Sequence, residues 1–595
     1  MTSSPRILGI IAAVGLLAHA AAVVWHFPPR YADATDPLAS GDLSYYAGSA
    51  FAVAEAGTPH GYDPGSMAGY PYGTWVSFGR RGYELGVWAL PIGSLATRFY
   101  VVVLGMALLA PLLAAFPLRW AGHAWREVVV GLAFSAALFQ LCDPLSYFWT
   151  FGNVAFPCGS ALAVVAVAGL ATGRPRAVVV AGAVAGLAVI VHTVAAVPLA
   201  CGSLAAAVVL FRCGMPARRL LAVTGAFALL AVAVGAWPYL HLGSYLGERV
   251  PMPIHPLESG LKYALMDAFN DRAYRHPFDR RPLFHVLLVL GIWQGWRSRQ
   301  PVEAALALGG VFTLGFGHLA GEVAALKELQ PYRFVAAGEL FLIVPAYGGL
   351  RHFATFARRA DRGGRIAVTL VSLVVLPGLT GYLVDLPTRG RAGGLTADER
   401  AALTWIREQP TGGRVLCEPG SLGNLLPHLA NRQVIGGGTS GQAVVAAGWT
   451  HVGASRAFGQ PAKEIPPAEF ARYCRLFDVR FAIVESPAVE SLVRQVPGAE
   501  RVGERGAFPL YRLPVTRDPA IGEGCYARNV SAERNRFRIT NLPAGRQTLN
   551  FHYLPGFRAP PGTTVEPVTV PGVPRPLLGL VAERAVPELE LVYLP

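Results

Sequence analysis

The sequence predicts a polytopic α-helical membrane protein with a folded extracytoplasmic region at its C-terminus. Three observations lead to this fold class. Of the 595 residues, 53% are hydrophobic and only 15% are charged, which is too apolar for a soluble protein of this length. Apolar runs of about 19 residues, long enough to cross a bilayer as a helix, recur up to residue 386. After residue 395 they give way to shorter alternating patterns.

Eleven apolar runs are predicted to span the membrane and to form one helical domain over residues 1–390. The eighth run is short, and the fifth and sixth could form one bent element, so the count has an error of about one. The first run could instead be a signal peptide, but its length favours a retained helix. The runs lie at 7–25, 99–117, 126–142, 153–171, 176–192, 194–211, 219–237, 283–296, 302–319, 333–350 and 366–386.

Arginine residues are concentrated in alternate loops, and this predicts the orientation of the chain. Examples are Arg119 with Arg126, and Arg218 with Arg219. Loops rich in Lys and Arg stay on the cytoplasmic side. The N-terminus is therefore predicted inside. The first loop (26–98), the second large loop (238–282) and the tail are predicted outside.

The tail shows the patterns of folded domains. Thr396 and Glu399 fit a capping box at the start of a helix. The segments "RVLCEP" and "VRFAIVES" are typical of strands, and "LGNLLPHLAN" and "FARYCRLF" of helices. Their alternation predicts an α/β domain over 395–515. Short alternating runs such as "RFRITNL" and "QTLNFHYL" predict a β-rich, sandwich-like module over 516–595.

The net charge of +14 does not indicate a nucleic-acid partner. Only three residues of the chain are lysine, and no basic tract has the interleaved aromatic residues that such binders show. The second large loop is nevertheless basic against the general trend and includes Arg275 and Arg280. It is either a solvated surface or a cationic pocket for a phosphate, because arginine binds phosphate oxygens through two hydrogen bonds.

Ionisable side chains lie near the predicted outer ends of several spans. Such groups are costly in a membrane and are candidates for a site that faces a cavity. A transporter would more naturally place them near the midplane. Taken singly, His192 could be a core histidine, and Arg333 could extend to the interface, so the argument is their convergence on one side. The group comprises Asp143, His192, His318, Glu322, Arg333 and Glu339.

The first loop, "ATDPLASGDLSYYAGSA", carries Asp33, Asp36 and Asp42 ahead of Tyr45 and Tyr46. A carboxylate can act as general base towards a hydroxyl, and Arg or Lys can stabilise a departing phosphate. Together with the membrane spans, these residues predict transfer of a group from a lipid-linked phosphate to an acceptor hydroxyl. The three aspartates could also supply oxygen ligands to a divalent cation. Because "DATD" is not a strict DxD motif, we favour a site without metal or other cofactor.

Three segments resemble the glycosyltransferase C superfamily, whose members are membrane enzymes that use polyprenyl-phosphate sugars. They are "SGDLSYYAGSAFAVAEAGTPHGYDP", "YPYGTWVSFG" and "FWTFGNVAFP". The pattern is most similar to bacterial polyprenyl-phosphate-mannose-dependent α-mannosyltransferases, over about residues 1–210. It implies that Asp42 is the catalytic base, with Asp33 and Asp36 as neighbours or substitutes. It also implies a substrate-binding role for the residues Tyr45, Tyr46, Tyr72 and Asn153. The chain departs from the pattern at His192, where a Lys-like residue is expected.

The resemblance implies a glycosyltransferase of the bacterial inner membrane. Its donor would be a mannose-like or pentose sugar on a polyprenyl phosphate, and its acceptor a glycan, lipid or protein of the cell envelope. The alternatives are a lipid-linked glycan transporter or export component, and a noncatalytic membrane protein that binds an envelope partner. A transporter predicts internal repeats and midplane charges, and the sequence shows neither. A noncatalytic protein predicts that Asp42 is replaceable.

Overall fold

The chain was analysed in a computed structural model. The residues that the structure describes are 5–72, 81–141, 152–237, 281–297, 300–323, 333–359, 391–437, 455–514 and 530–594, with a few isolated residues between these ranges. The chain divides into two compact units. The helical unit comprises Met1–Pro29, Val102–Pro238 and Ile254–Ala392. The loop–tail unit comprises Arg30–Val101, Tyr239–Pro253 and Gly393–Pro595.

Helices occupy ten of the eleven predicted spans, and the eleventh, 366–386, lies outside the described residues. Numbered in chain order, these helices are α1 (Pro5–His26), α4 (Leu95–Ala115), α5 (Trp125–Leu141), α6 (Ala155–Ala171), α7 (Pro175–Val191), α8 (Ala196–Arg212), α9 (Ala217–Gly235), α10 (Arg281–Arg297), α11 (Pro301–Leu319) and α12 (Arg333–Arg359).

Five helical segments within the described residues are long and apolar enough to cross a membrane: Leu95–Arg119, Thr193–Arg212, Ala217–Gly235, Pro301–Glu322 and Arg333–His352. Three shorter helices are also apolar, at Ala12–His26, Ala155–Ala171 and Pro175–Val191. The membrane character of the chain is thus confirmed, while the total of eleven spans stays a prediction.

Helix α6 forms the centre of the helical unit. All of its residues are buried, and it packs against α7, α8, α11 and α12. Helix α9 is the opposite case, since Leu221, Leu229 and Val232 are largely exposed. Exposed leucine and valine side chains are compatible with lipid, because acyl chains are as apolar as they are. The apolar composition therefore serves both a protein core and a lipid-facing surface.

Six further helices lie in the described part of the loop–tail unit. They are α2 (Leu43–Ala56), α3 (Arg81–Ala89), α13 (Ala397–Glu408), α14 (Gly420–Leu429), α15 (Pro467–Leu476) and α16 (Pro487–Arg494). The predicted capping box is present at α13, where the Thr396 hydroxyl accepts from the Glu399 amide and the Glu399 carboxylate accepts from the Thr396 amide. The helices that the sequence predicts within 395–515 are present in the structure as α13, α14 and α15.

A five-stranded mixed sheet lies among these helices. Its strands are β3 (Arg414–Cys417), β4 (Val434–Gly436), β8 (Val479–Ile483), β9 (Glu500–Arg505) and β10 (Phe508–Arg512). The order is β4-β3-β8-β10-β9. The first three strands are parallel, and β10 runs antiparallel to both of its neighbours. This is the α/β arrangement predicted from the alternating pattern.

Two antiparallel sheets complete the tail, as the β-rich pattern predicted. One has the order β11-β12-β17-β14 and the other β13-β16-β15. Their strands are β11 (Val530–Glu533), β12 (Arg536–Leu542), β13 (Gly545–His552), β14 (Phe557–Arg558), β15 (Thr563–Val568), β16 (Leu577–Ala582) and β17 (Val586–Tyr593). Short strands β5 (Val452–Gly453), β6 (Arg456–Ala457) and β7 (Gln460–Pro461) form a small separate sheet.

A hairpin from the first loop is built into the core of this unit. It pairs β1 (Gly61–Asp63) with β2 (Tyr70–Tyr72). The ring of Tyr62 is fully buried and packs on Phe557 at 4.9 Å between centroids. The Tyr62 hydroxyl donates to the His552 carbonyl at 2.8 Å. Position 69 must be glycine, because a Cβ there would lie 1.7 Å from that hydroxyl and φ is +107°.

The sequence-based domains place the first loop with the membrane region, 1–390, whereas the structure clusters residues 30–101 with the tail. Residues 30–101 cluster with the tail because the hairpin β1–β2 packs into the core of the tail. The hairpin also forms a parallel bridge from Ser66 to Val434, in which the Met67 amide donates to the Val434 carbonyl at 2.8 Å. Such contacts join segments more than 350 residues apart, and hydropathy along the chain does not record them.

Candidate functional site

The three first-loop aspartates have different surroundings. Asp33 is exposed and accepts from the amide and hydroxyl of Thr35, which lowers the pKa of its carboxyl. Asp36 lies 3.5 Å from the Arg400 guanidinium. Asp42 is partly exposed and directly precedes helix α2. Asp33 therefore shapes a turn, Asp36 is paired with the tail segment, and Asp42 stands at the start of a helix.

Asp42 is held by the tyrosine one helical turn later. The hydroxyl of Tyr46 donates to Oδ2 of Asp42 at 2.7 Å, and the Asp42 side chain makes no capping bond to its own helix. The Tyr46 ring stacks on Tyr83 of α3, with centroids 4.9 Å apart and planes 13° from parallel. Because residues four apart share one helix face, the predicted spacing produces this contact. The two rings fix the direction of the carboxylate.

A buried charged network lies beside this pair. The Glu84 carboxylate accepts from the Ser49 hydroxyl and forms an ion pair with Arg81. The Arg81 guanidinium also contacts the ring nitrogens of His60, at 2.8 and 3.1 Å. Arg81 is 3% exposed and Glu84 is 7% exposed. We call Asp42, Tyr46, Ser49, His60, Arg81 and Glu84 the first-loop cluster.

The remaining predicted tyrosines are buried. Tyr45 lines a narrow cleft with Asp63 and Asn424, whose volume of about 20 Å³ suffices for one water molecule. The Tyr72 hydroxyl is bonded to Thr58 at 2.7 Å and to the Asn535 amide at 2.6 Å. Burial raises the pKa of Tyr72, although these two bonds act in the opposite direction. Tyr72 thus packs the hairpin against the tail, and a sugar-binding role for Tyr45 stays a prediction.

Helix α2 is fixed at its far end by the tail. Glu55 pairs with Arg534 and lies 3.1 Å from the His428 ring nitrogen. The His428 ring packs edge-on against Phe51 at 5.2 Å. Both ends of the helix that carries Asp42 and Tyr46 are therefore held within the loop–tail unit.

In the helical unit, several of the predicted polar residues lie at the ends of helices that pack together. His192 ends α7, is fully buried, and packs edge-on against Phe156 of α6 at 5.2 Å. Phe156 also contacts Phe334, the second residue of α12, at 6.2 Å. We call Asn153, Phe156, His192, Arg333 and Phe334 the helix-end cluster.

Two polar atoms of the helix-end cluster are buried without a hydrogen-bond partner in the described part of the chain: Nε of Arg333 and Oδ1 of Asn153. His318 is partly buried at the end of α11, which reaches the start of α12, because a Cβ on Gly317 would lie 2.9 Å from the Val335 amide. Glu339 is buried in α12, and Glu322 is exposed. Phe156 thus contacts both His192 and Phe334, the residue that follows Arg333, and Glu322 lies on the surface.

Asp143, Arg275 and Arg280 lie outside the described residues, so their predicted roles stay predictions. Within the ranges that the structure describes, no three His, Cys, Asp or Glu side chains group together as metal ligands. The carboxylates of Asp33, Asp36 and Asp42 contact Thr35, Arg400 and Tyr46 respectively.

Sequence reasoning missed the Ser49–His60–Arg81–Glu84 network. Arg81 and Glu84 stand three apart in "RRGYELG", a spacing that favours an ion pair on a helix. That signal was available, but it does not distinguish an exposed pair from a buried one. The partners Ser49 and His60 follow only from the packing of α3 on α2.

The sequence matches no protein-family model, and no curated protein matches it. Solved structures with a similar fold do exist. The arabinofuranosyltransferase AftD from Mycobacteria is 16% identical with a TM-score of 0.50, over 87% of this chain and 42% of that chain. ArnT from Cupriavidus metallidurans, solved with undecaprenyl phosphate, is 13% identical with a TM-score of 0.47, over 87% of this chain and 100% of that chain.

The oligosaccharyltransferase from Archaeoglobus fulgidus, solved in the apo form, is 12% identical with a TM-score of 0.48, over 82% of this chain and 72% of that chain. At such identities a likeness concerns the fold. The matched region spans less than half of the AftD chain. What the chain does must therefore be argued from its own residues.

Proposed function

We propose that this chain, which has the glycosyltransferase C fold, is a membrane glycosyltransferase. It transfers a mannose-like or pentose sugar from a polyprenyl-phosphate donor to a glycan, lipid or protein acceptor of the cell envelope. The resemblance of the first loop to polyprenyl-phosphate-mannose-dependent enzymes supports the donor class. The same resemblance supports a bacterial inner membrane as its location. The arginine distribution supports an N-terminus in the cytoplasm and a tail outside.

The main support for the proposal is the local environment of Asp42. Its carboxylate is partly exposed and is aimed by the Tyr46 hydroxyl at 2.7 Å. A general base must be fixed in position and reachable by the hydroxyl that it deprotonates. Asp36 is engaged by Arg400, and Asp33 by Thr35, which supports Asp42 over both.

The reaction is a single displacement. The acceptor hydroxyl gives its proton to the Asp42 carboxylate while its oxygen forms a bond to the anomeric carbon of the sugar. The bond between that carbon and the phosphate oxygen breaks, and its electron pair leaves on the polyprenyl phosphate. One displacement inverts the configuration at the anomeric carbon, so the linkage in the product should be opposite to that in the donor.

Within the helical unit, we propose Arg333 as an anion-binding residue. Its Nε is buried with no partner among the described residues, so it has a donor to offer a phosphate oxygen. Arginine stabilises such charge as it develops. Arg275 and Arg280 of the second loop are proposed as further cationic contacts, on the sequence alone.

The experiment is a transfer assay with full-length protein in detergent, a panel of radiolabelled polyprenyl-phosphate sugars and extracts of envelope acceptors. We expect wild type to transfer one of the sugars. Asp42→Asn should lower the rate by about 10²–10⁴-fold, the usual contribution of a general base. Asp33→Asn is the matched control, since it removes an exposed carboxylate from the same loop, and it should retain the wild-type rate.

The alternatives give different results. A noncatalytic envelope-binding protein shows no transfer with any donor. A lipid-linked glycan transporter also shows no transfer, but it moves an intact labelled glycolipid across reconstituted vesicles. Loss of activity in Asp36→Asn with full activity in Asp42→Asn would move the base to Asp36. Adding EDTA, then Mg²⁺ or Mn²⁺, determines whether a divalent cation takes part; we propose that it does not.

A further inference from the structure

A groove in the helical unit has the features of a lipid site that the proposed transfer reaction does not use. It lies where the C-terminal ends of α8 and α10 meet the first turns of α11. Its volume is about 370 Å³, within the range of about 300–1,000 Å³ that is usual for ligand sites. These helix ends adjoin arginine-rich loops, which places the groove on the predicted cytoplasmic side.

The wall of the groove is apolar. Ile292, Leu308 and Val311 line it together with small residues. Gly295 allows α10 and α11 to approach closely, because a Cβ there would lie 2.1 Å from the Cβ of Ala307. Trp296 stands at the rim and is 78% exposed. Exposed tryptophan near the end of a membrane helix is characteristic of the membrane–water interface.

Arg212 is a positively charged residue in the lining of this apolar groove. The guanidinium carbon of Arg212 lies 5.3 Å from the centre of the Trp296 ring, and Arg212 is a lining residue. A second pair, Arg297 over Trp293 at 5.2 Å, lies on the same helix as Trp296. In the described part of the chain, no carboxylate is within ion-pair range of Arg212. An arginine held beside an aromatic ring keeps hydrogen-bond donors for an anion.

The acidic residue beside the lining residue Ala304 does not neutralise the groove. Glu303 begins α11 next to the lining residue Ala304, but its carboxylate is buried and accepts from His123 at 3.2 Å. The flanking loop adds Arg218 and Arg219, and the segment 213–247 contains no Asp or Glu. Within the described ranges, the charge of Arg212 is therefore not compensated by a carboxylate.

We propose that this groove binds an anionic phospholipid of the cytoplasmic leaflet, with the phosphate on Arg212 and an acyl chain along the wall formed by Ile292, Leu308 and Val311. Charge complementarity selects the headgroup, because basic residues beside apolar helix surfaces attract anionic lipids. The apolar wall and the exposed Trp296 select an amphiphile over free phosphate. The site is independent of the sugar-transfer chemistry.

The test uses full-length protein in phosphatidylcholine nanodiscs doped with either brominated phosphatidylglycerol or brominated phosphatidylcholine. Bromine quenches nearby tryptophan fluorescence. The chain has 11 tryptophans, so the Trp296 signal is taken as the difference between wild type and Trp296→Phe. We expect this difference signal to be quenched more strongly by the brominated phosphatidylglycerol.

Two arginine variants locate the effect. Arg212→Gln should lose most of the excess quenching by phosphatidylglycerol. Arg176→Gln removes the same charge from the exposed start of α7, which also lies on the predicted cytoplasmic side. This variant should keep the excess quenching by phosphatidylglycerol. Equal quenching of wild type by both lipids overturns the proposal, and so does an equal loss in the two variants. Native mass spectrometry, counting phosphatidylglycerol retained by wild type and Arg212→Gln, gives the same decision if Trp296→Phe does not fold.

Discussion

The first-loop cluster and the helix-end cluster both contain buried polar atoms, yet they differ in how those atoms are hydrogen-bonded. In the first-loop cluster the carboxylates have partners: Asp42 accepts from Tyr46, and Glu84 accepts from Ser49 and pairs with Arg81. In the helix-end cluster, Nε of Arg333 and Oδ1 of Asn153 are buried without partners among the described residues.

The difference indicates that the two clusters have different roles. A network in which each carboxylate is bonded fixes geometry, because each member restricts the others. A buried donor without a partner is costly to leave unsatisfied, and a ligand that supplies the missing bond recovers that cost. The first-loop cluster thus suits the positioning of a base, and the helix-end cluster suits the binding of a charged group. The following predictions test this distinction, beginning with the largest expected effect.

Glu84→Gln should destabilise the loop–tail unit by about 3–5 kcal/mol, the usual cost of leaving one partner of a buried ion pair without its counter-charge. The measurement is the change in denaturant midpoint of the purified protein. The double substitution Arg81→Met with Glu84→Leu should cost less than Glu84→Gln alone, since it leaves no buried charge. If the double variant is the less stable one, the network contributes through its shape and not through its charges.

Arg333→Gln should lower kcat by about 10²–10³-fold, as loss of a preorganised donor to a developing anion does. Its stability should change little, because Nε has no partner to lose in the described structure. Arg333→Lys keeps the charge but not the planar donor set, and should recover part of the rate. A variant that transfers sugar normally but unfolds at lower denaturant concentration would make Arg333 a structural residue.

Acid should act on the loop–tail unit through His552. Burial, with the charge of Arg414 as a second cause, lowers the pKa of His552 to about 3. The unfolded chain binds a proton near its ordinary pKa of about 6.5. Stability is therefore complete above pH about 6.5 and falls by about 1.4 kcal/mol per pH unit towards pH 3, which gives about 2 kcal/mol at pH 5.

The measurement for His552 is the denaturant midpoint of the loop–tail unit between pH 7 and pH 5. His552→Gln cannot titrate and should show a shallower pH dependence, whatever its absolute stability. Equal slopes for wild type and His552→Gln would show that the acid sensitivity resides in other groups.

Tyr46→Phe should lower kcat about tenfold, equivalent to about 1.4 kcal/mol, because the Asp42 carboxylate loses one directing hydrogen bond while the ring can still stack on Tyr83. The KM for the donor should stay unchanged, since the substitution affects only the base. Tyr45→Phe is the comparison variant: it should keep the wild-type kcat, and a raised KM for the donor would support the sugar-binding role of Tyr45. A raised donor KM with unchanged kcat would instead assign Tyr46 to sugar binding.

Much of the fold could be predicted from the sequence. Ten spans coincide with helices, because a membrane helix needs a continuous apolar run that is visible along the chain. The capping box at Thr396 was equally local, since its two partners stand three residues apart. The α/β and β-rich elements of the tail follow from periodicity.

Site details were predicted less completely. The spacing of Asp42 and Tyr46 on one helix face follows from the sequence, because it depends on helical geometry alone. The distinction among the three aspartates does not, since it depends on Arg400, more than 350 residues beyond Asp36. The same holds for His60 and Arg81, whose contact requires the packing of a loop that has no repeating pattern.

The sequence by itself determined the membrane helices, the predicted orientation and the secondary structure of the tail, because each depends on residues close together in the chain. Only the tertiary structure decided that the first loop shares a compact unit with the tail, and that Tyr62 belongs to the core formed by Phe557 and Tyr593. These pairings join distant segments through side-chain shape and hydrogen bonds, and a local pattern contains no record of its distant partner.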